Sequence, residues 1–226
     1  MKLFSHIQKF IQHNWLASIY LNLKMLPFRQ AIKLPIDVYH GIRFESLHGK
    51  IIIDSSDIHR GMIKIGSQGS DMFHRKGCII YIEGTLILHG SCVFGCSDTI
   101  IVGKGAVLEI GNGSIFGAYN ILFASERITI GSHFLSSWQC QLMDSDTHNL
   151  MDMNSGERYN STFPIEIGCH CWMGNGVKVN KGVAVAGDTI MASNSLLNKD
   201  YRSEGSNVVL AGIPAKVVKR NVKWQL

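Results

Sequence analysis

The chain has 226 residues, 46% hydrophobic and 17% charged, enough apolar content to fill one sizeable core and too little charge for an intrinsically disordered chain. Its 22 Lys and Arg against 17 Asp and Glu leave a formal charge of +5; with no long basic run, this suits a phosphorylated small molecule or a surface patch and argues against a dedicated nucleic-acid binder. The 23 glycines against 4 prolines show no Gly-X-Y period, so collagen is excluded and an all-β chain with many tight corners is expected. Six cysteines (Cys78, Cys92, Cys96, Cys140, Cys169, Cys171) contain no Cys-x-x-Cys pair, and no cleavable secretion signal is recognised, which makes a reducing cytosol the expected setting.

Residues 1–35 differ from the rest. Leu3, Ile7, Phe10, Ile11, Trp15, Ile19, Leu23 and Leu26 recur at three- and four-residue steps until Pro27, the period of one helical face, and predict one or two amphipathic helices. Lys9, Gln12, His13, Asn14, Asn22 and Lys24 interrupt the apolar run, so it is too broken to span a bilayer. Two roles stay open for the face: packing on the body or a neighbouring subunit, or a peripheral contact with a membrane surface helped by Lys2, Lys9, Lys24, Arg29 and Lys33.

Residues 36–200 carry a six-residue repeat. Ile167, Met173, Val179, Val185, Met191 and Leu197 follow one another without a slip, each trailed by Gly, Asn or Ala, and Cys171, Val177, Val183, Thr189 and Ser195 form a small or β-branched column four places on. The register reappears at Ile130 with Phe134, Leu142 with Asp146, Ile110 with Ser114 and Phe116 with Asn120, and loses strict phase further upstream. Neither a helix nor a hairpin sheet yields a period of six. A coiled parallel sheet does, with three hexads per triangular turn, the aliphatic residue inward, and Gly or Asn after it expected at the corners. About eight turns are expected between residues 50 and 200, on the order of 40 Å at about 4.8 Å per stacked strand, with the N-terminal helices and the segment 201–226 as caps.

The segments "LMDSDTHNL", "GERYN", "IEIGCHCWMGNGVKVNKGV" and "AGIPAKVVKRNVKW" resemble the hexapeptide-repeat, or left-handed β-helix, acyltransferases over residues 50–220, especially bacterial O-acetyltransferases of capsule and lipopolysaccharide synthesis. Ile213 stands where that family has Asn before Pro-Ala-Lys. Ile130 and Ile167 are 37 rather than 36 residues apart, so residues 148–164 are expected to loop out of the coil. The resemblance implies acetyl transfer from acetyl-CoA to a sugar hydroxyl, without metal, in a homotrimer with sites between subunits.

That chemistry needs a base, and imidazole is suited to it near neutral pH. The motif match makes His148 the base, with Asp146 as the partner that orients it and Asp144 close by. Gly174 is the candidate for a backbone N–H that stabilises the oxyanion. Trp172 is expected to wall the acceptor site, or else to anchor a subunit interface, and Arg158 and Tyr159 of the loop are assigned to the acceptor. The resemblance places the coenzyme along the final turns, near Ala192, Ser193, Ala211 and Gly212, whose small size would let pantetheine lie against the backbone, with Lys216 and Arg220, in a basic tail that also holds Lys219 and Lys223, meeting the coenzyme phosphates. Cys140 and Cys171 fall in the inward column, where a thiol is inert. Cys169-His170-Cys171 does not suit zinc, because alternation turns His170 away from both sulfurs. The alternatives are an acetyltransferase for an amino sugar or a small acceptor such as serine, and a non-catalytic β-helix acting as a binding module.

Overall fold

The computed structural model describes residues 12–67, 72 and 77–225. Leu3, Ile7, Phe10 and Ile11, half of the expected amphipathic face, lie outside the described residues. The body is a left-handed parallel β-helix whose strands stack into three sheets. The chain passes from face to face in a fixed order. Ile36–Val38, Ile63–Ser67, Cys92–Gly95, Ser114–Phe116, Leu135–Ser136, Trp172–Met173, Ile190–Met191 and Val208–Gly212 form the first face. Strands from Arg43–Leu47 to Leu196–Leu197 form the second, and strands from Lys50–Ile53 to Ala184–Val185 the third.

The inward columns are where the hexads put them. Ile167, Met173, Val179, Val185, Met191 and Leu197 are at most 4% exposed, and Cys171, Val177, Val183, Thr189 and Ser195 at most 1%. Upstream, the interior widens to hold Phe94, Phe116 and Phe134, whose rings follow one another at 5.2 and 5.3 Å.

Two details of the repeat differ from expectation. The corner residue is not the small one that follows the aliphatic position but the one three places after it. His170, Gly176, Gly182, Asp188 and Asn194, six apart, all have φ between +55 and +73°, the left-handed region through which each corner turns. The small residue after the aliphatic position answers to stacking instead: a Cβ on Gly168 would lie 2.3 Å from the nitrogen of Gly187 in the next turn. The number of turns is also smaller. Among the described residues the third face has six strands from Lys50 to Val185, because only the last turns contain 18 residues. Lys178 pairs with Leu196 at that interval, whereas Ile79 pairs with Thr99 and Thr99 with Ile121, 20 and 22 residues apart. Extra corner residues account for the lost phase.

The open end of the first face is closed by helix α1 (Trp15–Met25), with Asn14 as its N-cap accepting from the Ala17 N–H; a short helix, α2 (Phe28–Ala31), follows Pro27. The face that α1 buries is not the apolar one, so of the two roles left open, packing on the body is not the one that Ile19 and Leu23 take. Ser18, Leu21, Asn22 and Met25 point inward, while Ile19 and Leu23 are exposed. The reason is the unpaired edge of Ile36–Val38, whose backbone groups need partners. The Asn22 side chain donates to the Ile36 carbonyl at 2.7 Å and accepts from its N–H at 3.1 Å, and Ser18 Oγ accepts from the Val38 N–H at 2.8 Å. At the other end, Ala215–Arg220 folds back antiparallel on Val208–Gly212, so Lys216, Lys219 and Arg220 lie on an edge strand, where charge also discourages further pairing.

Candidate active site

The excursion begins at Asp144, four residues earlier than expected, and ends at Ile165, which rejoins the third face beside Ile128. It leaves from the edge between the second and third faces, because it follows Gln141–Met143 of the second. Its two arms pair antiparallel, Ser145 with Thr162 and Met151 with Arg158. Tyr159 donates its hydroxyl to Asp152 Oδ2 at 3.1 Å near the tip. Asp144, fully buried, holds the root: its carboxylate accepts from the N–H groups of Ser125 and Glu126 at 2.7 and 2.8 Å.

His148 stands exposed on this excursion. Its Nδ1 lies 3.0 Å from Thr147 Oγ1 and 3.4 Å from the Asp146 carbonyl oxygen. The Asp146 carbonyl can only accept and the Thr147 hydroxyl can accept or donate; both contacts are made by Nδ1, so Nε2 is the nitrogen left facing away from them.

The expected role of the Asp146 carboxylate is not what the structure shows. It turns to Lys181, with Oδ2 2.6 Å from Nζ, and does not sit in the inward column opposite Leu142. Lys181 also donates to the Asn160 carbonyl at 2.7 Å and lies 5.6 Å from the centre of the Phe163 ring. It thereby ties both arms of the excursion to the next turn of the coil. Sequence reasoning missed Lys181, although the period offered a signal: it precedes the left-handed corner Gly182, one turn beyond the exit.

Gly174 is a second correction. Its N–H donates to the Met191 carbonyl at 2.8 Å, so it is committed to the ladder and not free for an oxyanion. The glycine is there for space, since a Cβ would lie 2.7 Å from Ser193 N.

The residues expected to line the coenzyme do gather at the edge between the first and second faces. The Ala192 N–H donates to the Leu210 carbonyl at 2.9 Å, the Gly212 N–H lies 3.2 Å from Ser195 Oγ, and Lys216 pairs with Ala211 across the hairpin. Ser193 donates to Asn175 Oδ1 at 2.7 Å. An open groove of about 270 Å³, lined by Gly176, Lys178, Asn194, Ser195, Leu196 and Ile213, runs beside them. Arg220 does not join them: its guanidinium is held by the Glu204 carboxylate and carbonyl, each at 2.7 Å.

Trp172 faces outward from the first face, half-buried, with Nε1 3.4 Å from Ser137 Oγ. Its ring centre is 6.2 Å from that of Trp224, which stacks on His170 at 4.4 Å and donates to the His170 carbonyl at 2.8 Å. His170 in turn meets Asp188 Oδ1 at 2.7 Å. Cys140 and Cys171 are at most 1% exposed, and loss of hydration on burial pushes their thiols up to about 11 and about 12, which disfavours the nucleophilic thiolate.

No protein-family model matches the chain. A stretch of 126 residues, 55% of the chain, is 32% identical to the polysialic acid O-acetyltransferase of Escherichia coli O1:K1 / APEC, and covers 40% of that protein, less than half its length. Over 204 residues, 88% of this chain and 90% of the relative, it is 26% identical to the galactoside O-acetyltransferase of Escherichia coli (strain K12). The chain is similar in sequence to these O-acetyltransferases. The likeness in structure is one of fold. The crystal structure of the polySia-specific acetyltransferase NeuO matches with a TM-score of 0.61, covering 82% of this chain and 72% of that one at 24% identity. That of the polysialic acid O-acetyltransferase OatWY matches with a TM-score of 0.55, covering 81% and 90% at 22% identity.

Proposed function

We propose that the chain transfers an acetyl group from acetyl-CoA to a hydroxyl of a surface-polysaccharide sugar or its precursor, with His148 as general base. The observation that carries this reading is the imidazole on the excursion, which keeps Nε2 open while Nδ1 faces a backbone carbonyl. Nε2 takes the hydroxyl proton as the oxygen attacks the thioester carbon. The tetrahedral intermediate then expels the coenzyme thiolate, which recovers the proton from the imidazolium. Cys140 and Cys171 are buried, which disfavours an acetyl intermediate on either thiol, and the reaction is read as direct attack in a ternary complex. Release of free thiol from acetyl-CoA, followed with a panel of glycans, amino sugars and serine, tests the reading. Glycan-dependent release is expected; release with only amino sugars or serine, or with nothing, would overturn it.

The placement of the residues favours a homotrimer. His148 leaves at the edge between the second and third faces, and Trp172 stands on the first face, the side of the triangle opposite that edge. The two can border one acceptor, together with Arg158 and Tyr159, only across a subunit boundary, and a closed three-fold ring gives each protomer such a boundary. Light scattering is expected to give three times the monomer mass. A monomer with full turnover would show that Trp172 takes no part in the site.

The coenzyme groove yields a second expectation. Lys216 is exposed beside Ala211, whereas Arg220 is already paired. A charge-assisted hydrogen bond to phosphate contributes about 1.5–3 kcal/mol, roughly 10- to 150-fold in affinity. Calorimetry with Lys216→Ala should therefore show at least about tenfold weaker binding of acetyl-CoA, and Arg220→Ala a loss of less than about fivefold. Equal, small losses would reduce the basic strand to protection of a sheet edge.

A further inference from the structure

The N-terminal end of the prism presents an arrangement that the transfer reaction does not use. Helix α1 spends its polar residues inward: Ser18 and Asn22 are at most 2% exposed and are hydrogen-bonded to the edge of Ile36–Val38. Its apolar side is thereby fixed outward. Leu16, Ile19, Tyr20 and Leu23 form one stripe at helical spacing, continued by Phe28 of α2 and by Ile32, with exposures of 41–82%. The inward side occupies the open edge of the first strand, which leaves Leu16, Ile19 and Leu23 outward, while the Tyr20 ring lies 5.9 Å from that of Phe44 at the margin of the stripe. Lys24, Arg29 and Lys33 are exposed among these residues.

The charge of the chain is partitioned in the same way. The first 36 residues contain five Lys and Arg and no Asp or Glu, so the remainder holds 17 of each sign. The whole formal excess of +5 thus belongs to the sequence segment that contains the apolar stripe, and Lys24, Arg29 and Lys33 are the part of it that the described residues place there.

We propose that this end is a docking surface for an anionic lipid bilayer, the apolar stripe entering the headgroup boundary and Lys24, Arg29 and Lys33 meeting lipid phosphates. An apolar stripe rimmed by cations matches the two attractions that hold a helix in the plane of such a surface. Charge argues against a second copy as the occupant, because stripe against stripe would set one acid-free segment on another. Among the described residues, no helix is long and apolar enough to cross a membrane. The proposal does not depend on the transferase reading. If the chain is trimeric with parallel prisms, three stripes share one plane and their contributions multiply.

Flotation of the full chain with vesicles of phosphatidylcholine alone, and with one third phosphatidylglycerol, tests it. The wild type should partition to the anionic vesicles and lose that partition in high salt. Each basic residue near such a surface is worth about 1 kcal/mol, roughly fivefold, so Lys24→Gln/Arg29→Gln/Lys33→Gln should bind anionic vesicles about 100-fold more weakly. Leu16→Asp/Leu23→Asp should lose binding and keep its thermal midpoint, because both side chains are exposed. If that variant unfolds, the wild type and the charge variant still decide. A wild type that stays with the buffer in both compositions overturns the proposal. So does a lower particle mass for Leu16→Asp/Leu23→Asp in light scattering, which would assign the stripe to a contact between copies.

Discussion

Replacement of His148 by alanine is expected to lower kcat by about 10² to 10⁴, the contribution of a positioned general base, while the affinity for acetyl-CoA hardly moves. The separation follows from the geometry: His148 projects from the excursion at one edge of the second face, and Ala192, Ser193, Gly212 and Lys216 lie around the groove at its other edge. Near-normal turnover of His148→Ala with its acceptor would remove the base from the mechanism. The same geometry predicts a different result at Asp146. Its carboxylate serves Lys181, so Asp146→Ala and Lys181→Ala should each cost less than about fivefold, as expected of a half-exposed ion pair. The double variant should cost no more than either single one. A loss of 10² or more for Asp146→Ala alone would return the carboxylate to the imidazole.

The largest effect on stability is expected at Asn22. This fully buried amide satisfies both backbone groups of Ile36 and also donates to the Ser18 carbonyl at 2.7 Å. Asn22→Ala leaves a buried donor and a buried acceptor of the first strand without partners, at about 1–3 kcal/mol each. For a chain of this size, about 2–4 °C per kcal/mol puts the fall in thermal midpoint at roughly 5–20 °C. Ser18→Ala, which orphans the Val38 N–H and removes the 2.9 Å contact of Ser18 Oγ with His13 Nε2, should lower it by less. Calorimetry of both variants checks the order; a shift below about 2 °C for Asn22→Ala would mean that this edge does not need its helix.

The sequence by itself determined the coil and its inward columns, because every turn imposes the same steric demand on the same hexad position and the demand is met locally. Ile167 through Leu197 could be placed inside without knowing any neighbour. The broken phase between Ile130 and Ile167 revealed the excursion, but not its size: the two residues pair in consecutive turns, so the stretch between them holds one turn and the whole excursion.

What the sequence left open are choices between polar partners, and these depend on which segments the stack brings together. Asp146 could serve an adjacent imidazole or a lysine 35 positions on; the coil places Lys181 beneath the exit of the excursion and decides for the lysine. Arg220 reads as a phosphate ligand until the hairpin sets it on Glu204, and Gly174 reads as an oxyanion donor until the next turn claims its N–H. The inverted helix shows the same physics most plainly. Apolar periodicity grouped Ile19 and Leu23 on one side without deciding whether that side is buried, but a sheet edge must have its hydrogen bonds met before apolar surface is covered, and an unpaired buried amide costs as much as an exposed leucine side chain would regain. Asn22 and Ser18 therefore went inward, and only the tertiary structure could show it.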